Sequence, residues 1–232
     1  NQLASNFTTS ITPQIVKSYA KGDKKRFFQL IYEAGRYSYF LMFIVAFPII
    51  LEADYILKLW LVKVPVYTVL FTRFVLAIAL YRIIVRSTIN GVHATGDVKT
   101  LNLTSGVYVA CTFLPLIYIL FKCGLPVWSC FIIYAFNGVV CNIFEARALY
   151  KREKFDILRY ITYVYLHPIA VSMIAAILPF VIVFTMEESF LRLVLTLLVN
   201  SLCTLICVYT FGINKDARKI VNTFILNKIR KK

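Results

Sequence analysis

Long uncharged runs separated by short basic stretches set the rhythm of this chain. Thr100 to Phe121, Cys123 to Phe144, Tyr160 to Met186 and Leu193 to Asn214 carry no Asp, Glu, Lys or Arg over 22, 22, 27 and 22 residues. Each meets the roughly 20 residues that an α-helix needs to cross a bilayer. Two further apolar stretches are interrupted by a few charges. The pattern predicts an all-α integral membrane protein, a polytopic helix bundle with six full transmembrane helices. They lie at about 37–57, 66–86, 101–121, 125–146, 160–184 and 191–212. A barrel would show short alternating segments instead.

The flanks follow from the same pattern. Residues 1–17 read as the end of a truncated seventh helix, the chain being the C-terminal part of something larger, and 18–212 as the six-helix lobe. In the basic tail, 213–232, Ile220, Val221, Phe224, Ile225 and Ile229 share one helical face beside Lys and Arg. That suits a helix lying on an anionic leaflet. In 23–38, Phe27, Ile31 and Ala34 fall at helical spacing, which predicts an interfacial segment ahead of the first full span.

Composition sharpens the class. Hydrophobic residues make up 60%, charged residues 16%, and the mean hydropathy is +0.75. Soluble domains carry about 25% charged residues. The net charge of +15 is distributed by topology: 21 of the 26 Lys and Arg fall in 17–36, 82–99, 147–159 and 215–232. The alternate loops hold only Lys58, Lys63 and Lys122. This asymmetry places the basic loops and the C-terminus in the cytoplasm. Cations divided among four loops do not make a nucleic-acid surface. The expected partner is the lipid bilayer.

A short repeat marks two of the basic turns. Ala20-Lys21-Gly22-Asp23-Lys24-Lys25 and Ala94-Thr95-Gly96-Asp97-Val98-Lys99 share A-x-G-D-x-K. Gly suits a left-handed helix stop and Asp caps the helix that follows. A helical hairpin recurring in one orientation also fits transporters built from repeats.

Enzyme and metal chemistry find no support. No phosphate loop, nucleophile elbow, zinc-protease or dinucleotide motif occurs, and the six Cys form no C-x-x-C pair. His93 and His167 are far apart, with no convergent acids. We therefore expect no catalytic residues, no metal and no resident cofactor.

Polar residues inside the spans are the candidate functional groups. Asn137, Asn142 and His167 either fasten helices or line a polar path. Arg82, Arg86 and Lys99 crowd the cytoplasmic side, as gate or headgroup contacts. Pro48, Pro115, Pro168 and Pro179 punctuate the spans, which suits either kinked, rocking helices or ordinary packing. Arg192 has Glu188 one turn away, and Asp54 has Lys58 at the same spacing, so local ion pairs are expected. Arg73 has no acid three or four residues to either side. A water-filled cavity that attracts anions, snorkelling to the near surface, or a partner in an absent part of the chain would each resolve it.

Pro13-Gln14-Ile15 before the first A-x-G-D-x-K turn, Leu57-Lys58-Leu59-Trp60-Leu61 followed by Val64-Pro65-Val66-Tyr67-Thr68, and the second turn at Ala94 span about residues 8–102. Together they resemble the C-terminal half of bacterial polysaccharide and O-antigen flippases. These are MATE-like members of the multidrug/oligosaccharidyl-lipid/polysaccharide flippase superfamily. Beyond residue 103 the likeness is one of hydropathy and basic loops. The resemblance implies two pseudo-symmetric lobes with alternating access in the bacterial inner membrane. The implied cargo is an undecaprenyl-diphosphate-linked oligosaccharide, with polysaccharide assembly proteins as further partners and a proton or sodium gradient as the energy source. Arg73 matches an arginine position of the family. Val62 stands where the family often has Gly, and Asp97 where a Gly-Lys pair is usual, which bears on turns only.

An exporter of organic cations on the same fold is the alternative. It would want carboxylates within the membrane. By the predicted spans all eleven acids lie in loops or near span ends, which favours an anionic cargo. An enzyme acting on the same lipid would need a larger outer loop than this chain has.

Overall fold

The computed structural model describes residues 2–214 together with Arg218, Lys219 and Thr223, with the backbone alone at 2–5, 100, 104 and 105. The proposed amphipathic tail lies largely outside the described residues. Those residues form eight helices and no strand. They are α1 Gln2–Ala20, α2 Lys24–Leu51, α3 Ala53–Trp60, α4 Thr68–Ala94, α5 98–122, α6 Ser129–Glu153, α7 Ile157–Thr185 and α8 Phe190–Gly212. Five of them, α2, α4, α6, α7 and α8, are long and apolar enough to cross a membrane. The chain is thus a multi-pass helical membrane protein. The sixth expected span, 101–121, is represented by a shorter apolar helix, Gly106–Lys122, whose first residues belong to a π-helical stretch at Asn102–Tyr108.

The helices alternate between two poles. The turns at 21–23, 95–97 and 154–156 meet at the basic pole, where Tyr19 and Lys24 both bond Glu153 and Tyr32 bonds the Asp156 carbonyl. Both repeat turns have the glycine stop that the sequence predicts, with φ of +74° at Gly22 and +76° at Gly96. Asp23 caps α2 by accepting the Arg26 amide at 3.0 Å.

Helix α2 is the central rod. It packs on α1, α4, α7 and α8. It begins at Lys24, well before the predicted start near 37, because Phe27, Ile31 and Ala34 are fully buried. That segment is core, not an interfacial helix. The rod stops at Leu51, and the predicted continuation to 57 becomes the short helix α3. Glycine lets α2 and α4 approach closely. A Cβ on Gly35 would come within 2.7 Å of both Ser87 Oγ and Val164 Cγ1.

Helix α8 seats a polar stripe on α2. Arg192, Thr196, Asn200 and Thr204, four residues apart, are all buried. Arg192 and Thr196 bond Glu52, and Asn200 Nδ2 donates to the Ile44 carbonyl at 3.0 Å. In α7 a π-helical stretch, Ile161–Leu166, precedes Pro168. Proline lacks the N–H for its own turn and crowds the carbonyl four residues back, so the widened turns fall where strain is expected. Pro48, Pro115 and Pro179 sit inside continuous helix.

Candidate functional site

Two hollows flank the first turns of α7. The first, about 200 Å³, opens at the basic pole between α2, the 154–156 turn, α7 and Asn214. Its walls carry Lys25, Arg36, Lys154 and Arg159 against only Glu33 and Asp156, with Phe28, Tyr32 and Tyr163 between them.

Both acids are engaged. Asp156 caps α7, accepting the Arg159 amide at 3.0 Å. Glu33 Oε1 accepts from Gln29 at 2.8 Å and from Asn214 at 3.3 Å. The cations are not correspondingly matched. Arg36 is only 3% exposed, yet no carboxylate among the described residues lies within ion-pair distance. One guanidinium nitrogen donates to the Tyr37 hydroxyl at 3.1 Å, the charge lies against the Tyr37 and Tyr163 rings, and Nε has no partner. Arg159 rests over the rings of Tyr32 and Tyr163. Lys154 holds a left-handed conformation, φ +57°, as the C-cap of α6. A side-chain-bearing residue there costs about 1–2 kcal/mol, and the strain sets an ammonium on the pocket wall. A buried guanidinium with no carboxylate within ion-pair distance among the described residues, walled by aromatic rings and further cations, is suited to hold an anion.

The second hollow, about 610 Å³, is a groove between α4, α6 and α7. Val139, Ile143, Ala146, Ile157 and Ile161 line it. Its floor is a hydroxyl chain: Thr88 to Tyr160 at 2.5 Å, Tyr160 to Tyr165 at 3.5 Å, then the Tyr165 hydroxyl donating to Asn142 Oδ1 at 2.9 Å. Tyr32 of the first hollow and Tyr160 of the second lie 6.3 Å apart, ring to ring.

The predicted residues divide among these places. Asn142 lines the groove. His167 stacks on Tyr163, one ring behind the pocket. Asn137 accepts from Thr112 at 2.8 Å and fastens α5 to α6. Arg82 bonds the Tyr134 hydroxyl and lies over its ring, while Arg86 and Lys99 are exposed outside both hollows. Arg73 stands at the opposite pole, partly exposed, bonding Asp54 at 2.7 Å and the Ile50 carbonyl at 3.1 Å. Its partner is therefore an acid of this chain, 19 residues upstream. The local pairs expected nearby are exchanged as well. Arg192 pairs with Glu52, and Glu188 with Lys58 at 2.7 Å. Nor do all the acids keep to loops and span ends: Glu145 is buried within α6. Sequence reasoning missed Arg36, Lys154 and Arg159 because it counted them among loop charges. The i, i+4 spacing of Tyr32 and Arg36 inside an apolar helical face was the available signal.

No family model, curated protein or solved structure matches this chain.

Proposed function

We propose that the chain is one lobe of a carrier that moves a polyprenyl-diphosphate-linked oligosaccharide across the bacterial inner membrane by alternating access, the basic pole facing the cytoplasm. The observation that carries this reading is Arg36, buried at the basic pole with no carboxylate partner among the described residues. A charge in that position is costly unless something pairs with it. A phosphoryl group entering from the cytoplasmic leaflet would supply the missing charge. The pocket's volume of about 200 Å³ suits a phosphoryl group far better than a chain of sugars, so the sugars would lie outside it. The chemistry asked of the protein is binding and release, with no catalytic residue.

A cation exporter of the same fold would use a carboxylate inside the membrane. Of the two acids fully buried among the described residues, Glu52 is neutralised by Arg192. Glu145 lies by the tyrosine floor of the groove and is where an exporter's cation would have to bind.

The test is complementation of a strain lacking its O-antigen or capsule flippase by the intact protein. Arg36→Ala is expected to abolish surface glycan at normal protein levels in the membrane, and Arg36→Lys to restore part of it. Full export by Arg36→Ala would remove the pocket from the mechanism, and loss confined to Glu145→Gln would favour the exporter.

A further inference from the structure

The groove between α4, α6 and α7 is lined far more apolarly than the pocket at the basic pole. Along α6 the stripe Val139, Ile143, Ala146 and Tyr150 forms one wall, and Ile157 and Ile161 of α7 form the other. Ile143 and Ile161 are exposed toward the side of the bundle, so the groove opens laterally where lipid tails lie. Apolar walls alone would accept any tail. Two polar groups narrow the choice. Arg147, exposed at the basic-pole end, lines the groove and forms no ion pair among the described residues. Asn142, only 7% exposed, lines the floor with its Nδ2 donor unpartnered while its Oδ1 accepts from Tyr165.

The two are five residues apart on one helix, which is roughly 7–8 Å of axial rise. That is the order of the separation between the phosphate and the ester carbonyls of a glycerophospholipid. The Asn142 amide lies beside the Tyr160 hydroxyl without a well-formed hydrogen bond from Nδ2, and a buried donor left so is unfavourable until a better acceptor reaches it. An isoprenoid chain has no oxygen at that depth, whereas an acyl ester does. We infer that the groove is a binding site for a resident anionic glycerophospholipid, with its phosphate on Arg147, an ester carbonyl on the Asn142 amide and one acyl chain along Val139, Ile143 and Ile161. The inference is independent of the cargo and of the Arg36 pocket.

The test is the unfolding temperature of the full protein, stripped of lipid in detergent and titrated with phosphatidylglycerol, phosphatidylethanolamine or undecaprenyl phosphate. Phosphatidylglycerol is expected to raise it on the order of 5–10 °C at a hundredfold excess over Kd. Ile143→Trp fills the groove from its exposed wall and should remove that rise while leaving the lipid-free unfolding temperature unchanged. Arg147→Ala should reduce the response to phosphatidylglycerol to that of phosphatidylethanolamine, and Asn142→Leu should shrink the response to both. An equal rise in wild type and Ile143→Trp would overturn the site. So would a groove-dependent rise as large with undecaprenyl phosphate, since that lipid has no acyl ester carbonyl.

Discussion

Arginines at the opposite pole show how burial decides what an ion pair is worth. Glu52 is 1% exposed and receives two hydrogen bonds from Arg192, at 3.0 and 2.8 Å, with a third from Thr196. Removing one partner strands a charge in the bundle, which costs about 3–5 kcal/mol. Arg73 and Asp54 are each about two-fifths exposed, so their pair is worth about 1 kcal/mol or less. Thermal unfolding in detergent should rank the variants accordingly. Glu52→Ala and Arg192→Ala should each be severely destabilised, and Arg73→Ala nearly neutral. Equal effects would contradict the assignment. A second residue test concerns Lys154. Replacing it with Gly relieves a left-handed backbone conformation, so Lys154→Gly should be as stable as wild type or more stable, by up to about 1 kcal/mol, with an unfolding temperature that is unchanged or higher. It should also bind anionic lipid headgroups more weakly, having lost a pocket cation. Lower stability with unchanged binding would show that Lys154 serves the helix end alone.

At the scale of elements, the seam between α2 and α4 sets how the pocket is built. Gly35 sits one residue before Arg36, and the close approach it permits brings Ser87 of α4 and Val164 of α7 against α2. Gly35→Ala would force a methyl to 2.7 Å from both side-chain atoms, overpacking worth about 1–3 kcal/mol. We expect lower thermal stability, and loss of glycan export with it, because Tyr163 and Arg159 ride on the α7 turns that Val164 anchors. Gly91→Ala meets Ile31 Cδ1 at 2.6 Å, the far end of a side chain that can turn aside, with Leu149 Cδ1 in ordinary contact at 3.4 Å, and should cost less. Wild-type stability in Gly35→Ala would mean that this seam is looser than described. The elements themselves were largely readable in advance. Helices α4, α6, α7 and α8 follow from runs of apolar residues, which are local in the sequence. The start of α2 did not follow, because Lys24, Lys25, Arg26 and Arg36 resemble a loop until Phe27, Ile31 and Ala34 are seen packed. Nor could the sequence supply the partner of Arg192, 140 residues away, or that of Arg73, beyond the reach of one helical turn.

For the whole molecule, the positive-inside asymmetry and the two poles of the bundle agree. Every turn that carries many cations falls at one end, and the ion-paired α3 falls at the other. The candidate site needed the fold as well. Asn142 was legible as a buried amide in an uncharged run. Arg36 became a candidate only when Glu33 and Asp156, its nearest acids in the pocket, proved to be bonded elsewhere. The central claim is that Arg36, and not Arg73, receives the anionic headgroup. Equilibrium binding of undecaprenyl diphosphate to the purified protein and its Arg36→Ala and Arg73→Ala variants tests it most directly. The predicted result is a loss of affinity of at least about tenfold, about 1.4 kcal/mol, in Arg36→Ala with Arg73→Ala close to wild type. Unchanged affinity in Arg36→Ala, or a loss confined to Arg73→Ala, would contradict it.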